Sequence, residues 1–370
     1  MTDEVTSKAS SITPVSFSSA MEYSENQDRL INEVNSTLTK NSNLSKLIGQ
    51  VPLSVMYDNH ANHASFMSNV FKLNDYELMS KVITWVYHTY QHHGFSYDYF
   101  PFALKEWKKA IEKHLDPSKT EPLIKIYDWI IENHELFIEA SLKAERPPLF
   151  IGQKWQELKQ SFLSSLLTGS HRKSIELAID NIHDAADLTE FYLQVIQPSM
   201  YEIGLMWEKG EISVAREHLA SAIVTRVMAA LYPKFSIIEQ TKSNVVVTAA
   251  PNEYHEIGPR MVADLLEIDG WNVDYIGANT PPRDLLDLMS EKRPFFVAIS
   301  VGMPFNIDRT IELVKMIKDE KQFKDTRIML GGNCLKMSSK ARHIMGVDGI
   351  GDTARDAVFL GSEWWHNGQE

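Results

Sequence analysis

Residues 244–258 read NVVVTAAPNEYHEIG. The first seven are mostly apolar, four of them β-branched (Val245, Val246, Val247 and Thr248), and the run is too short for a helix, so it predicts a buried strand. Glycine and a renewed helical pattern follow the loop. Four more short β-type runs succeed it: NVDYIG, PFFVAISV, TRIMLGG and VDGIG. Helical stretches of roughly 10 to 15 residues separate them, the pattern of βα units in a parallel sheet. The region 240–370 is therefore expected to be a doubly wound, five-stranded parallel sheet. Ligands of such sheets sit at the carboxyl ends of the strands, near the switch in strand order. That directs attention to loops 250–258, 277–282, 300–306 and 331–334.

Upstream the period changes. Between 151 and 235 four helical segments follow one another: GQKWQELKQSFLSSLLTG, SHRKSIELAIDNIHD, DLTEFYLQVIQPSMYEIGLMWEKG and SVAREHLASAIVTRVMAALYP. Short joints make antiparallel neighbours, so a four-helix bundle is expected, with Pro198 kinking its third helix. ERPPLF (145–150) marks a boundary. Residues 26–150 are helical in pattern, with Asn74 expected as an N-cap and Gly94 as a helix end. Residues 1–25 are rich in Ser and Thr, lack apolar period and read as a disordered tail.

The 370-residue chain carries 49 acidic against 37 basic residues, a net charge of −12. Such a chain repels phosphate, and no basic patch offsets it, which argues against nucleic-acid binding. The single cysteine, Cys334, excludes an intrachain disulfide framework or a cysteine-built zinc site. No apolar leader or membrane-length apolar run is visible, so a cytoplasmic protein is expected. No catalytic output domain is recognisable either, and the chain reads as a binding or sensing protein rather than an enzyme.

The loop after the first strand lacks the G-x-G-x-x-G of dinucleotide folds. The third and fifth strand ends, Ser300-Val301-Gly302 and Gly349-Ile350-Gly351, lack the acid and lysine of a phospho-receiver. What the loop does carry is Glu253-x-His255-x-x-Gly258. A histidine here can offer one ring nitrogen to a metal while a carboxylate two residues earlier takes the other ring N–H. Alone, the same residues also suit a solvated loop histidine, with Gly258 easing a tight helix entry.

Together with Ser300-x-Gly302 and Gly331-Gly332, the loop resembles the flavodoxin-like cobalamin-binding domain, whose signature is D-x-H-x-x-G. Glu253 stands where Asp is commoner and keeps a carboxylate. The resemblance spans about 240–360. It implies that His255 is the lower cobalt ligand and that the displaced nucleotide tail threads past Ser300 and the glycine pair.

The joint of the third and fourth bundle helices adds Trp207 and the pair Glu217-His218, expected at one end of the bundle. This W-x9-E-H spacing resembles the adenosylcobalamin-dependent photoreceptors, where such residues cover the adenosyl group. It implies a light sensor in which breaking the Co–C bond rearranges domains and a homo-oligomer, a dimer or tetramer, to signal to an effector. In the gene-regulating members a His follows the tryptophan; here Glu208 does, which puts a bis-His lit state in doubt. Two other readings stand beside it: a corrinoid methyl carrier between methyltransferases, and a cobalamin store without photochemistry.

Segment 85–107 holds nine aromatics: Trp85, Tyr87, Tyr90, Phe95, Tyr97, Tyr99, Phe100, Phe102 and Trp107, with His88, His92 and His93 among them. This is either an aromatic helical core or a site for a flat conjugated ligand. The layout resembles the photocobilins, which add a biliverdin-binding helical domain. That resemblance implies a non-covalent bilin, with Tyr87, His88, His92, Tyr97, Tyr99 and Trp107 as candidate contacts.

Overall fold

The computed structural model describes residues 4–143, 149–235, 240–344 and 346–368. They fall into two compact units. The first comprises Met1–Arg146 with the short segments Glu208–Gly210 and Met337–Ala341. The second comprises Pro147–Trp207, Glu211–Lys336 and Arg342–Glu370. Among the described residues no helix is long and apolar enough to cross a membrane.

The first unit is built from α1 (Glu4–Ala9), α2 (Phe17–Glu25), α3 (Gln27–Thr39), α4 (Leu44–Ile48), α5 (Leu53–Leu73), α6 (Tyr76–His92), α7 (Tyr99–His114), α8 (Pro117–Glu132) and α9 (His134–Leu142). The expected disordered tail is not what forms over 4–25. Val5, Ala9, Val15, Ala20 and Tyr23 are buried. Tyr23 meets the Phe71 ring edge-on at 4.9 Å between centroids and shares a 2.9 Å hydrogen bond with the Tyr127 hydroxyl. Burying a side chain of that size stabilises by roughly 2–3 kcal/mol, enough to order a Ser-rich helix of weak propensity. Asn74 is likewise not an N-cap. It ends α5 in the left-handed region at φ +50°, and Asp75 caps α6 through the Leu78 N–H at 3.0 Å.

The second unit begins with α10 (Gln153–Leu167), α11 (His171–Asn181), α12 (Ala185–Phe191), α13 (Gln197–Glu208) and α14 (Val214–Phe235). Between α12 and α13 the chain runs through a π-helical turn, Tyr192–Ile196, closed by the Gln197 N–H on the Tyr192 carbonyl. The widened turn accommodates Pro198, which has no N–H and whose ring crowds the carbonyl four residues earlier. The expected kink is thus an inserted residue in a continuous rod. Its apolar residues Phe191, Ile196 and Ile203 share one buried core with Phe162 of α10 and Ile223 and Val227 of α14.

The sheet contains β1 (Asn244–Ala249), β2 (Asn272–Tyr275), β3 (Phe296–Ser300), β4 (Arg327–Gly331) and β5 (Gly349–Gly351). All neighbours are parallel and the order is β2-β1-β3-β4-β5. Helices α15 (Ile257–Ile268), α16 (Pro282–Lys292), α17 (Ile307–Asp319), α18 (Asn333–Met337) and α19 (Ser339–Ile344) connect the strands, and α20 (Ala354–Asn367) follows the last. Val245, Val246 and Val247 are all buried, as a central strand covered on both faces requires. Register aligns Ala249 with Ser300 and Ser300 with Gly331, so the carboxyl ends of three strands meet at one edge. The strand order reverses between β1 and β3, and the crevice opens there.

Candidate functional site

Glu253 bridges that crevice. It lies in the β1–α15 loop, is 1% exposed, and reaches the loop after β3. Its Oε2 accepts the backbone N–H groups of Gly302 at 2.8 Å and Met303 at 2.9 Å, and the Asn306 side-chain amide at 3.2 Å. Its Oε1 accepts the Tyr254 and His255 N–H groups at 3.2 and 3.3 Å and contacts His255 Nδ1. Burial works against ionisation, yet the His255 hydrogen bond and charge and the two β3-loop N–H groups outweigh it and hold the carboxyl at about 2. The same hydrogen bond raises the imidazole above its ordinary range, and the Glu253 and Glu217 charges reinforce it.

His255 is therefore oriented by a buried anion while its side chain stays 70% exposed. In the neutral ring the hydrogen bond to Glu253 keeps the proton on Nδ1, so the lone pair is on Nε2. The scaffold under it is a set of asparagines that the sequence reading did not single out. Asn252 (φ +64°) donates its N–H to Asn279 Oδ1 at 2.9 Å and its amide to Asn306 Oδ1 at 3.0 Å. Asn306 donates in turn to the Asn252 carbonyl at 3.1 Å. Three loops, after β1, β2 and β3, are thereby tied around Glu253. The readable signal was Asn at turn positions, where it tolerates the left-handed region and caps its neighbours.

The glycines divide by cause. Gly332 has φ +108°, and a Cβ there would lie 2.2 Å from the Val301 carbonyl oxygen. Its lack of a side chain is thus required by the chain's own β3–β4 crossing, whatever binds nearby. A Cβ on Gly331 would stand 3.2 Å from the Gly351 carbonyl, and one on Gly302 would stand 3.2 Å from Glu253 Oε2. Gly258 is the opposite case. Its φ is ordinary and nothing lies within 4 Å of a Cβ built there, so a tight helix entry is not its reason. It presents bare backbone to the open side of the loop. Ser300 is half-buried at the end of β3, its carbonyl accepting the Ala250 N–H at 2.8 Å.

On the bundle side, Trp207 and Glu208 are half-buried at the end of α13, Trp207 in the second unit and Glu208 in the first. Gly210 turns the chain at φ +66°, and Ser213 accepts the Arg216 N–H at 3.3 Å to start α14. The first turn of α14 carries Glu217, whose Oε1 accepts the Ser221 hydroxyl at 2.8 Å and whose Oε2 pairs with His218 Nδ1 at 2.5 Å. The Glu217 charge is the smallest of the influences that raise His255. Among the described residues no group of three or more His, Cys, Asp or Glu could hold a bare metal ion. One outward imidazole is a donor set for a metal whose other positions come from a macrocycle.

The aromatic segment of the first unit is a packed core. Tyr87 is 1% exposed, stacks on Phe100 at 3.9 Å and shares a hydrogen bond with His134 at 2.9 Å. Tyr99 bonds His60 Nε2 at 2.8 Å, and Trp107 lies edge-on to His60 at 6.1 Å. These three rings are buried against other protein groups. His88, His92 and Tyr97 are less buried; His88 Nδ1 bonds the Ser141 carbonyl at 3.0 Å, His92 Nδ1 the His88 carbonyl at 2.7 Å, and Tyr97 the Ser141 hydroxyl at 3.4 Å.

Comparison with known proteins points the same way as the crevice. Residues 243–359 match the model of the B12 binding domain, and residues 158–232 match a second B12 binding domain model. Dimethylamine corrinoid protein 1 of Methanosarcina acetivorans is 21% identical over 212 residues, 56% of this chain and 97% of that protein. Trimethylamine corrinoid protein 1 of the same organism is 24% identical over 186 residues, covering 50% of this chain and 85% of that protein. The monomethylamine corrinoid protein of Methanosarcina barkeri superposes with a TM-score of 0.50 at 19% identity, over 56% of this chain and 99% of that one, which speaks to fold. The bundle and the sheet together are a pair of cobalamin-binding domains, a helical cap and a Rossmann-like core, and the chain is a cobalamin-binding protein.

Proposed function

We propose that the second unit holds a corrinoid between the bundle and the carboxyl edge of the sheet, with His255 as the lower cobalt ligand. One observation carries this: a buried, ionised Glu253 holds His255 through Nδ1 while the His255 side chain stays 70% exposed. Asn306 and the Gly302 and Met303 N–H groups hold Glu253, and Gly258 leaves its side of the loop free of side chain. Glu217 and His218, with Trp207 at the neighbouring helix end, would stand over the opposite face. When bound, the corrinoid supplies a cobalt–carbon bond that a partner protein or light can break.

The matched relatives are named as methylamine corrinoid proteins, and they support a methyl-carrier role, with methyltransferases as partners, more than a sensor role. A second reading rests on a specific observation, the Trp207 and Glu217-His218 set at one bundle end. A bulky indole and a carboxylate–imidazole pair over the cobalt would favour an adenosyl group and shield it from a transferase, as a light sensor requires.

The test is reconstitution of the whole chain with methylcobalamin and adenosylcobalamin separately, followed by absorbance and size-exclusion chromatography in the dark and under green light. His255→Ala is expected to abolish the spectrum of imidazole-ligated cobalt; an unchanged spectrum would remove His255 as the ligand. Trp207→Ala that weakens adenosylcobalamin alone, together with light-dependent elution, would establish the sensor. Equal effects on both cofactors and light-independent elution would leave the carrier.

A further inference from the structure

Tyr192 is fully buried in the π-helical turn of the bundle, and its hydroxyl donates to Asp264 Oδ2 at 2.5 Å. Asp264 lies on α15, the helix that leaves the His255 loop. Met261 and Leu265, three residues before it and one after, are buried in the same core as bundle residues Ile196 and Ile223. A second tie of the same kind lies one turn on, where Tyr232 of α14 donates to Glu267 at 3.3 Å. The turn that carries Tyr192 is itself irregular, and such π-turns recur at functional positions.

We propose that Tyr192 and Asp264 form a proton-responsive latch that holds the bundle against α15 and so sets how readily the cleft at His255 opens. The inference rests on the reading that a corrinoid sits between bundle and sheet, because a flat macrocycle can enter there only if the two surfaces part.

Burial pushes the Asp264 carboxyl up to about 6 from an ordinary 3.8, against the Tyr192 hydrogen bond and the charge of Arg260, which lower it. The groups around it are few. Arg260 lies on the same helix with its guanidinium 5.1 Å from the Tyr275 ring of β2 and 3.9 Å from the Glu256 carboxylate; Glu267, which accepts from Tyr232, adds a like charge. From α20, Arg355 is paired with Glu190. Strands β1 and β3 bring no titratable side chain to α15.

Opening returns Asp264 to water. The closed state therefore binds the proton more tightly, and acid favours closure. For carboxyl values of about 6 closed and 3.8 open, the closed-to-open ratio rises about tenfold from pH 7.5 to pH 5.

The experiment is hydrogen exchange of the whole chain without cofactor, read on peptides covering 188–200 and 257–268 and corrected for intrinsic rates. Opening is expected to fall about tenfold from pH 7.5 to pH 5. Asp264→Asn should flatten the profile at the slow limit. Tyr192→Phe removes a bond that favours the ionised acid, so its midpoint should move to higher pH. An unchanged profile in Asp264→Asn, or a midpoint that stays put in Tyr192→Phe, overturns the latch. Failure of the wild-type chain to retain cobalamin overturns the corrinoid reading instead, and is scored separately by absorbance.

Discussion

Replacing Glu253 by Gln changes one atom's chemistry at nearly constant shape, which makes it the sharpest probe of this site. The amide oxygen must face Gly302, Met303 and Asn306, since all three donate toward it. The amide nitrogen must then face His255 Nδ1 and the Tyr254 and His255 N–H groups, where Glu253 had accepted. Two donors cannot share a hydrogen bond. His255 is pushed to the tautomer with its proton on Nε2, and the lone pair offered to the cleft disappears. Loss of such an orienting partner weakens metal ligation about 10–100-fold, or ~1.4–2.7 kcal/mol. The cost to folding is separate. A charge-assisted bond is exchanged for a neutral one, and two loop N–H groups lose their acceptor, for about 2–4 kcal/mol in total. Cobalamin titration followed by absorbance reads the first effect and denaturant unfolding the second. Glu253→Asp should retain more affinity than Glu253→Gln, because it keeps the charge. Wild-type affinity and an unaltered spectrum in Glu253→Gln would refute the orienting role and reduce Glu253 to a loop tie.

The glycines give a paired prediction. Gly332→Ala should cost at least ~3 kcal/mol in denaturant unfolding, from a left-handed φ and a collision with Val301. Gly258→Ala should leave stability unchanged or raise it by up to ~1 kcal/mol, since nothing lies within 4 Å of the added Cβ, while weakening cobalamin binding if the proposed site uses that open face. In the first unit, burial holds His60 down at about 4 and His63 at about 3, so both are neutral when folded. Their folded values lie below the unfolded 6.5, so the stability they contribute is present above pH 6.5 and is lost as pH falls toward 4. Unfolding of the whole chain from pH 7 to 4.5 should show this loss, and His60→Asn should reduce it.

The βα alternation, the parallel sheet and the bundle could be read from 244–258 and its surroundings because they rest on local apolar period, which a strand or helix writes directly into its own sequence. Glu253 and His255 were legible for a similar reason: both partners of the hydrogen bond lie within three residues. The order of Ser300 and Gly331 was also visible, since each ends a strand.

What only the tertiary structure decided lies between segments. Asn306 supports Glu253 from more than 50 positions away, and nothing local pairs the two. Gly332 owes its identity to the carbonyl of Val301, just past the end of the neighbouring strand, a backbone collision that no periodicity encodes. The first 25 residues look disordered by composition because their few apolar groups are spaced widely, yet Tyr23 finds Phe71 and Tyr127, and helices form within residues 4–25. The aromatic run at 85–107 reads as core or cradle by sequence; only the fold stacks Tyr87 on Phe100 and buries Trp107 beside His60 and His63. In each case the deciding term is the burial or satisfaction of a group by a partner distant in sequence, and that partner exists only once the chain has folded.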